Sequence, residues 1–559
     1  MPESPLGHLV LVLHSHLPWV LGHGKWPHGE DWLYEAVSES YVPVIQTLDR
    51  LATEGASPRV TIGVTPVLAE MLASPRFREG FVGFLDARIA LAERDAKEFE
   101  DLGEPAAARL AAMWSEFYRG VKDAFLTTYG GDLLGVLRRL ERAGHIEVIT
   151  SAATHGYLPL IGREESVEAQ VRVGVATHRR HFKAAPRGIW LPECGYRPAG
   201  EWSRPVGTAG ASRRAGLEEV VARNGLRYFF VDTHLVAGGT PRGPYDDDFG
   251  DRAPAPARPS TGLTPNEAYA VVAGPSRRRV AVLARDPRSS VQVWSADYGY
   301  PGDGAYLEFH RKKGRDGLRY WRVTDRRLPL DDKRPYDLEA AAARARAHAE
   351  HFVGVVRETL RTHLEATGRP GVVVAPFDTE LFGHWWFEGT RWLEAVIRGL
   401  GGDVLPATAS EALLRQPPRT VVSLPEGSWG QGGGHWVWLN DDTKWVWALV
   451  YEAEDAFMGL MREAPRPPRG VAGRVFAQLA RELLLLESSD WPFLITTVSA
   501  RDYAEARAKL HRAAFDRLLG MARKANAGPL PPEDEAWLSE VEARDAPFPE
   551  IDLRSWTEA

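Results

Sequence analysis

The chain has 559 residues, a formal net charge of −7, 44% hydrophobic and 26% charged residues, and a single cysteine, Cys194. That is an ordinary globular composition, long enough for one large domain and one or two smaller ones. It excludes an intrachain disulfide framework and argues against a nucleic-acid partner, whose phosphates call for a clustered basic surface.

The first residues, MPESPLGH, lack a basic stretch followed by a long apolar one, so no signal peptide is expected. The longest apolar runs, LVLVL, VVVAPF and LLLL, are too short to span a bilayer. The expectation is a cytoplasmic protein with no membrane partner, working as a monomer or small homo-oligomer. In chain order, strands are predicted at 8–13, 60–64, 146–150, 188–191, 228–231, 280–283, 291–294 and 372–377. Helices are predicted over 33–53 and 167–182, and residues 77–140 read as helices alone. Residues 237–265, rich in Gly, Pro, Asp and Arg, read as a long loop of the kind that is functional or disordered. A glycine-rich segment at 427–434 precedes further helical patterns at 442–453, 470–487, 500–523 and 533–543. Several of the strand runs are continuously apolar, as in a parallel sheet covered on both faces. Strand followed by helix, repeated, predicts a barrel or a doubly wound sheet.

The polar residues are informative by position. LVLVL runs into His14-Ser15-His16, IEVIT into Thr154-His155, GIWLP into Glu193, YFFV into Asp232, VQVW toward Asp297, and VVVAPF into Asp378 and Glu380. In a parallel barrel the strand C-termini share one face, and barrel enzymes carry their sites there. A carboxylate pair is what glycosidic chemistry needs: one acid protonates the leaving oxygen while the other attacks or stabilises the anomeric carbon. Asp378, among Phe377, Phe382, His384, Trp385 and Trp386, has the apolar surroundings of a neutral acid. Glu193, close in sequence to Arg197, is expected to be held ionised by the guanidinium. His14 and His16 could be metal ligands, donors to sugar hydroxyls, or satisfied core histidines. The 19 tryptophans include rings suited to sugar faces and rings that fill the core, and the stripe Trp436, Trp438, Trp445, Trp447 reads as packing.

Seven collinear motifs carry a resemblance: HSHLPW, THGYLPL, GIWLPECGYRP, VWSADYGYPGDG, APFDTELFGHWWFEG, LPEGSWG and ESSDWPF. With them the sequence resembles glycoside hydrolase family 57 and, within it, the 1,4-α-glucan branching members. The resemblance implies an α/β fold: a (β/α)7 incomplete TIM-type barrel at 1–75 and 145–425, a helical insertion at 76–144, and an all-helical C-terminal domain at 426–559. It implies Glu193 as nucleophile and Asp378 as acid/base. It implies substrate contacts at His14, His16, His155, Trp294, Trp429 and Asp490, with Trp26 and His384 added because they follow matched motifs. Tyr245, within the long loop, matches a tyrosine that covers the site in branching members. No metal and no organic cofactor is expected; α-glucan (amylose, amylopectin or glycogen) would be both donor and acceptor. The alternatives are a 4-α-glucanotransferase or α-amylase with the same chemistry, a metal-dependent polysaccharide deacetylase, and a glucan-binding protein without turnover.

Overall fold

The apolar run that follows Gly7 forms strand β1 (Gly7–Ser15), with every residue buried. A run with no polar alternation has no face to give to water, so it is stable only between two covering layers. In a computed structural model, which describes residues 5–25, 27–208, 210–239, 258–274, 277–463, 468–525 and 529–556, six further strands continue that pattern. They are β2 (Val60–Val64), β3 (Ile146–Ser151), β4 (Gly188–Trp190), then, after a small antiparallel pair β5 (Gly200–Trp202) and β6 (Ser212–Arg214), β7 (Tyr228–Val231). After β8 (Tyr269–Ala273) come β9 (Arg278–Ala284) and β10 (Gly371–Asp378).

The parallel order is β10-β1-β2-β3-β4-β7-β9, with β8 antiparallel on the outer edge of β9. Short strands β11 (Val404–Pro406) and β12 (Thr420–Val421) add to β1 and β8. Among the described residues no strand pairing joins β9 to β10. One backbone bond spans that seam, Asp286 N–H to Val374 O at 2.8 Å. The sheet is thus a curled, incomplete (β/α)7 TIM-type barrel.

One predicted strand is a helix. Residues 291–294 end the helix Pro287–Trp294. Asp286 caps it by accepting the Ser289 N–H at 2.7 Å, and Pro287 supplies a preset first turn. These start signals outweigh the β preference of Val291 and Val293.

The helix predicted over 33–53 runs as Glu30–Ala36, a π turn at Val37–Tyr41, and Val42–Thr53. Val42 N–H bonds Val37 O, five residues back. Pro43 has no N–H to offer the carbonyl four residues before it, and its ring crowds that carbonyl, so the turn widens there.

The helices Pro75–Asp101 and Pro105–Asp123 pack side by side over the barrel rim, followed by Leu133–Arg142. At the other end, Lys444–Glu463, Gly470–Leu486, Asp490–Thr496, Arg501–Ala525 and Pro532–Arg544 form a helical bundle. Its buried Trp447, Leu483 and Phe515 belong to the same hydrophobic cluster as Leu11, Leu13 and Phe377 of the barrel. Each such side chain contributes on the order of 1.5–3 kcal/mol by leaving water, so the bundle is bound to the barrel by a shared core. Trp438 and Trp447 are buried, and the Trp447 N–H donates to Trp438 O at 2.8 Å, which makes this part of the tryptophan stripe packing. No helix of the described residues is long and apolar enough to cross a membrane.

Candidate active site

Parallel register sets the first contacts. His14 at the end of β1 is level with Asp378 at the end of β10, and Ser151 of β3 is level with Trp190 of β4. The turns that follow are strained. His155 has φ 57°, Glu193 φ 60° and Cys194 φ 49°, all in the left-handed region that side chains other than glycine avoid. Strain of this kind persists where the surroundings over-determine it, and it clusters at functional sites. At Glu193 it turns the carboxylate into the barrel mouth and seats Cys194 as a small buried group.

The mouth is a cleft of about 850 Å³. His14, His16, His155, Glu193, Trp294, Asp378, His384, Trp429 and Asp490 all line it. Residues more than 470 positions apart in sequence meet there. Trp26 and Tyr245 lie outside the described residues. The ends of the long loop are joined, with Gly239 and Arg258 exchanging backbone bonds of 2.9 and 3.0 Å. Asp232, another strand-end carboxylate, is turned away from this chemistry. Arg285 and His234 hold it at 2.7 and 3.2 Å, and they keep its acid form far below the ordinary range despite burial.

The two carboxyls differ in their partners. Glu193 Oε2 accepts the indole N–H of Trp429 at 2.7 Å. The Trp429 backbone N–H also bonds Glu193 O at 3.1 Å, and Tyr196 bridges to Gly427, so the glycine-rich segment is docked on this turn. Burial pushes Glu193 up to about 8; the Trp429 N–H opposes that rise, and the Asp378 charge adds to it. Asp378 is pushed well above the usual carboxylate range by burial and then by Glu380. Among the described residues none donates a hydrogen bond to the Asp378 carboxyl. Two interacting carboxyls share protons as a pair. The shared proton belongs on Asp378, which has no donor, and the charge belongs on Glu193, which has one. Arg197 plays no part in this, contrary to the expectation from sequence. Its guanidinium lies over the Trp202 ring at 5.7 Å, and Glu193 owes its state to burial and Trp429.

Three histidines line the cleft beside the carboxyls, with His155 Nδ1 4.0 Å from Glu193 Oε1. His14 and His155 meet through their Nε2 atoms at 3.1 Å, and His155 stacks on His16 with ring centroids 4.0 Å apart. Burial holds His14 and His155 well below the usual imidazole range, so both are neutral and one N–H lies between them. His155 Nδ1 pairs with Ser489 Oγ at 2.8 Å. His16 bonds Thr65 through Nδ1 and the Asp490 carboxylate through Nε2, at 3.1 and 3.0 Å. Most of their ring nitrogens are committed to one another and to protein partners rather than converging on one point. A separate group, His23, His511 and Asp545, has its ligand atoms within 4.8 Å of one another. Glu482 and Arg507 already occupy both nitrogens of that His511, and a guanidinium opposes a cation there.

Several lining groups were not singled out by sequence: Trp32, Phe309 and Phe493, and the supports Tyr41, Glu39 and Ser489. Ser489 lies in a motif that was read. Tyr41 and Glu39 lie inside a helix and had no signal.

The model of glycosyl hydrolase family 57 matches residues 10–425, most of the chain. The chain belongs to glycosyl hydrolase family 57. Within this family, residues 449–556 also match the model of the 1,4-alpha-glucan branching enzyme C-terminal region. The chain is 42% identical to a 1,4-alpha-glucan branching enzyme of Thermococcus kodakarensis over 97% of its own length and 77% of the relative's. The crystal structure of that branching enzyme superposes with a TM-score of 0.88, covering 99% of this chain and 96% of that one. The branching enzyme of Pyrococcus horikoshii is 38% identical, with a TM-score of 0.86 over 99% and 97% of the two chains. An alpha-amylase of Thermotoga maritima is 31% identical, with a TM-score of 0.81 over 98% and 99%. This family 57 chain therefore shares its whole fold with relatives named as branching enzymes and with one named as an alpha-amylase.

Proposed function

We propose that this protein is a 1,4-α-glucan branching enzyme that cleaves α-1,4-glucan with retention and transfers the cleaved chain to a sugar 6-hydroxyl. The observation that carries the reading is the carboxyl pair in one cleft: Glu193 with a hydrogen-bond donor, Asp378 without one. The barrel would be the catalytic unit, 1–75 and 145–425, with the helices of 76–144 and 426–559 as its walls. The match of residues 449–556 to a branching-enzyme C-terminal model favours transfer over hydrolysis.

In this reading the cycle has two steps. An α-1,4 chain lies in the cleft with its rings on Trp294 and the other aromatics, beside the His14, His16 and His155 wall. Asp378 protonates the leaving 4-oxygen while Glu193 attacks the anomeric carbon, forming a glycosyl ester and releasing the 4-hydroxyl end. Asp378, now ionised, takes the proton of an incoming 6-hydroxyl, whose oxygen displaces Glu193. Two inversions leave the α configuration. The Trp429 N–H steadies Glu193 as it enters as nucleophile and as it leaves.

The test is incubation with amylose while α-1,6 linkages are followed by proton NMR beside reducing ends. Rising α-1,6 signal with few reducing ends is expected. Reducing ends alone would replace the reading with hydrolysis, as in the amylase relative. Glu193→Gln is expected to lose turnover by at least about 10³-fold while still binding glucan; near-normal activity would remove Glu193 from its role.

A further inference from the structure

The π turn Val37–Tyr41 contacts the segment after Asp378 through three consecutive residues. Tyr41 donates its hydroxyl to Glu380 Oε1. Ser40 Oγ donates to Glu380 O and accepts the His384 N–H, both at 3.1 Å. Glu39 Oε2 accepts from His384 Nδ1 at 2.8 Å and from Arg319 at 2.8 Å, and Tyr118 donates to its Oε1 at 3.0 Å. The backbones also touch. Gly383 has φ 113°, and a Cβ there would collide with the Glu39 carbonyl. That is the carbonyl which Pro43, four residues on, cannot pair with. On its other side Glu380 Oε1 accepts the His16 N–H at 3.0 Å.

We infer that this π turn is the template that positions the acid loop Asp378–His384, and that Tyr41 and Glu380 are positioning residues for Asp378. The inference rests on the proposed role of Asp378 and adds groups that need not touch substrate. An ordinary α-helical turn would carry Glu39, Ser40 and Tyr41 at different angles, and all four of their bonds to the loop would be lost together. The charged and titratable groups around the pair are Glu193, His16 and Asp490 from the cleft, Tyr41 from the π turn, and Glu39, His384 and Arg319 beside it. Glu380 is the charge whose neighbourhood favours the proton on Asp378, and burial carries its own acid form to about 7.

The direction of the effect can be worked out. The basic limb of the kcat/KM profile reports loss of the acid's proton. Glu380→Gln removes the neighbouring charge and keeps the acceptor oxygen, so the Asp378 proton leaves at lower pH. Tyr41→Phe removes the donor that stabilises ionised Glu380. Glu380 then stays neutral to higher pH, and Asp378 again loses a negative neighbour.

The experiment measures amylose consumption by loss of iodine colour across pH for wild type and both variants, with product linkage scored separately. Iodine loss does not depend on whether the acceptor is a 6-hydroxyl or water. A wild type that consumes amylose without branching overturns the branching reading, and the comparison of limbs still stands. The expected result is a basic limb displaced to lower pH by roughly half a unit or more in both variants. With it, kcat should fall on the order of tenfold at neutral pH and KM should stay within about twofold. Limbs unmoved in both variants overturn the inference whatever happens to kcat, because a loosened loop alone lowers the rate at every pH. A rise in KM alone also overturns it, since Glu380 would then be a sugar contact. If Tyr41→Phe does not fold, the Glu380→Gln limb decides.

Discussion

Glu193 and Cys194 are consecutive left-handed residues, and the peptide between them is held by the docked segment that carries Trp429. One tryptophan therefore does two things: its backbone N–H holds the turn and its ring N–H bonds the Glu193 carboxyl. Trp429→Phe keeps the packing and removes the ring donor. A hydrogen bond to a charged group is worth about 1.5–3 kcal/mol, which is roughly one to two pH units. Removing it raises the acid form of Glu193 further, so the acidic limb of kcat/KM should move to higher pH by about one unit. A pH profile of the variant checks this, and an unmoved acidic limb would mean that the indole does not hold the charge on Glu193. At this scale the two carboxyls of the proposed pair were legible because each ends an apolar run. The sign of the environment at Glu193 was not legible. Arg197 is four positions away in sequence, yet its guanidinium lies over Trp202.

At the scale of elements, local signals decide short segments and burial decides long ones. The strands β1, β2 and β10 were legible because continuous apolar runs leave few alternatives. The helix Pro287–Trp294 was misread because Val-Gln-Val-Trp alternates, while the cap that governs it lies just before the run. Asp286 is also shared: one oxygen accepts Ser289 N–H and the other accepts Asn266 Nδ2 at 3.1 Å. Asp286→Ala removes a cap worth about 1 kcal/mol and takes one acceptor from the buried Asn266 amide at a cost of up to about 1–3 kcal/mol. The expected outcome is a melting temperature lower by a few degrees, read by calorimetry, with a raised KM because Trp294 ends that helix. A variant that melts with wild type and keeps its KM would deny the cap its role.

The whole molecule brings the C-terminal bundle onto the barrel face. His16 and Asp490, 474 positions apart, bond at 3.0 Å inside the cleft, and Ser489 reaches His155. The bundle thereby supplies second partners for histidines whose first position is set by the barrel. If that pair acts as a unit, His16→Ala, Asp490→Ala and the double variant should give kcat/KM losses that do not add. A coupling of about 1–3 kcal/mol is expected from a double-mutant cycle. Additive losses would mean that the bundle only covers the cleft.

From the sequence alone one could obtain the barrel's strands, the carboxyl pair and the histidines, because strand runs, their polar ends and the motif order are local properties of the chain. What remained to the tertiary structure was which carboxyl has a donor, which histidines touch, and which helix bonds the segment after Asp378. Those depend on contacts between segments hundreds of residues apart. A hydrogen bond between Tyr41 or Asp490 and its partner leaves no periodicity in either segment, so only the packed chain reveals it.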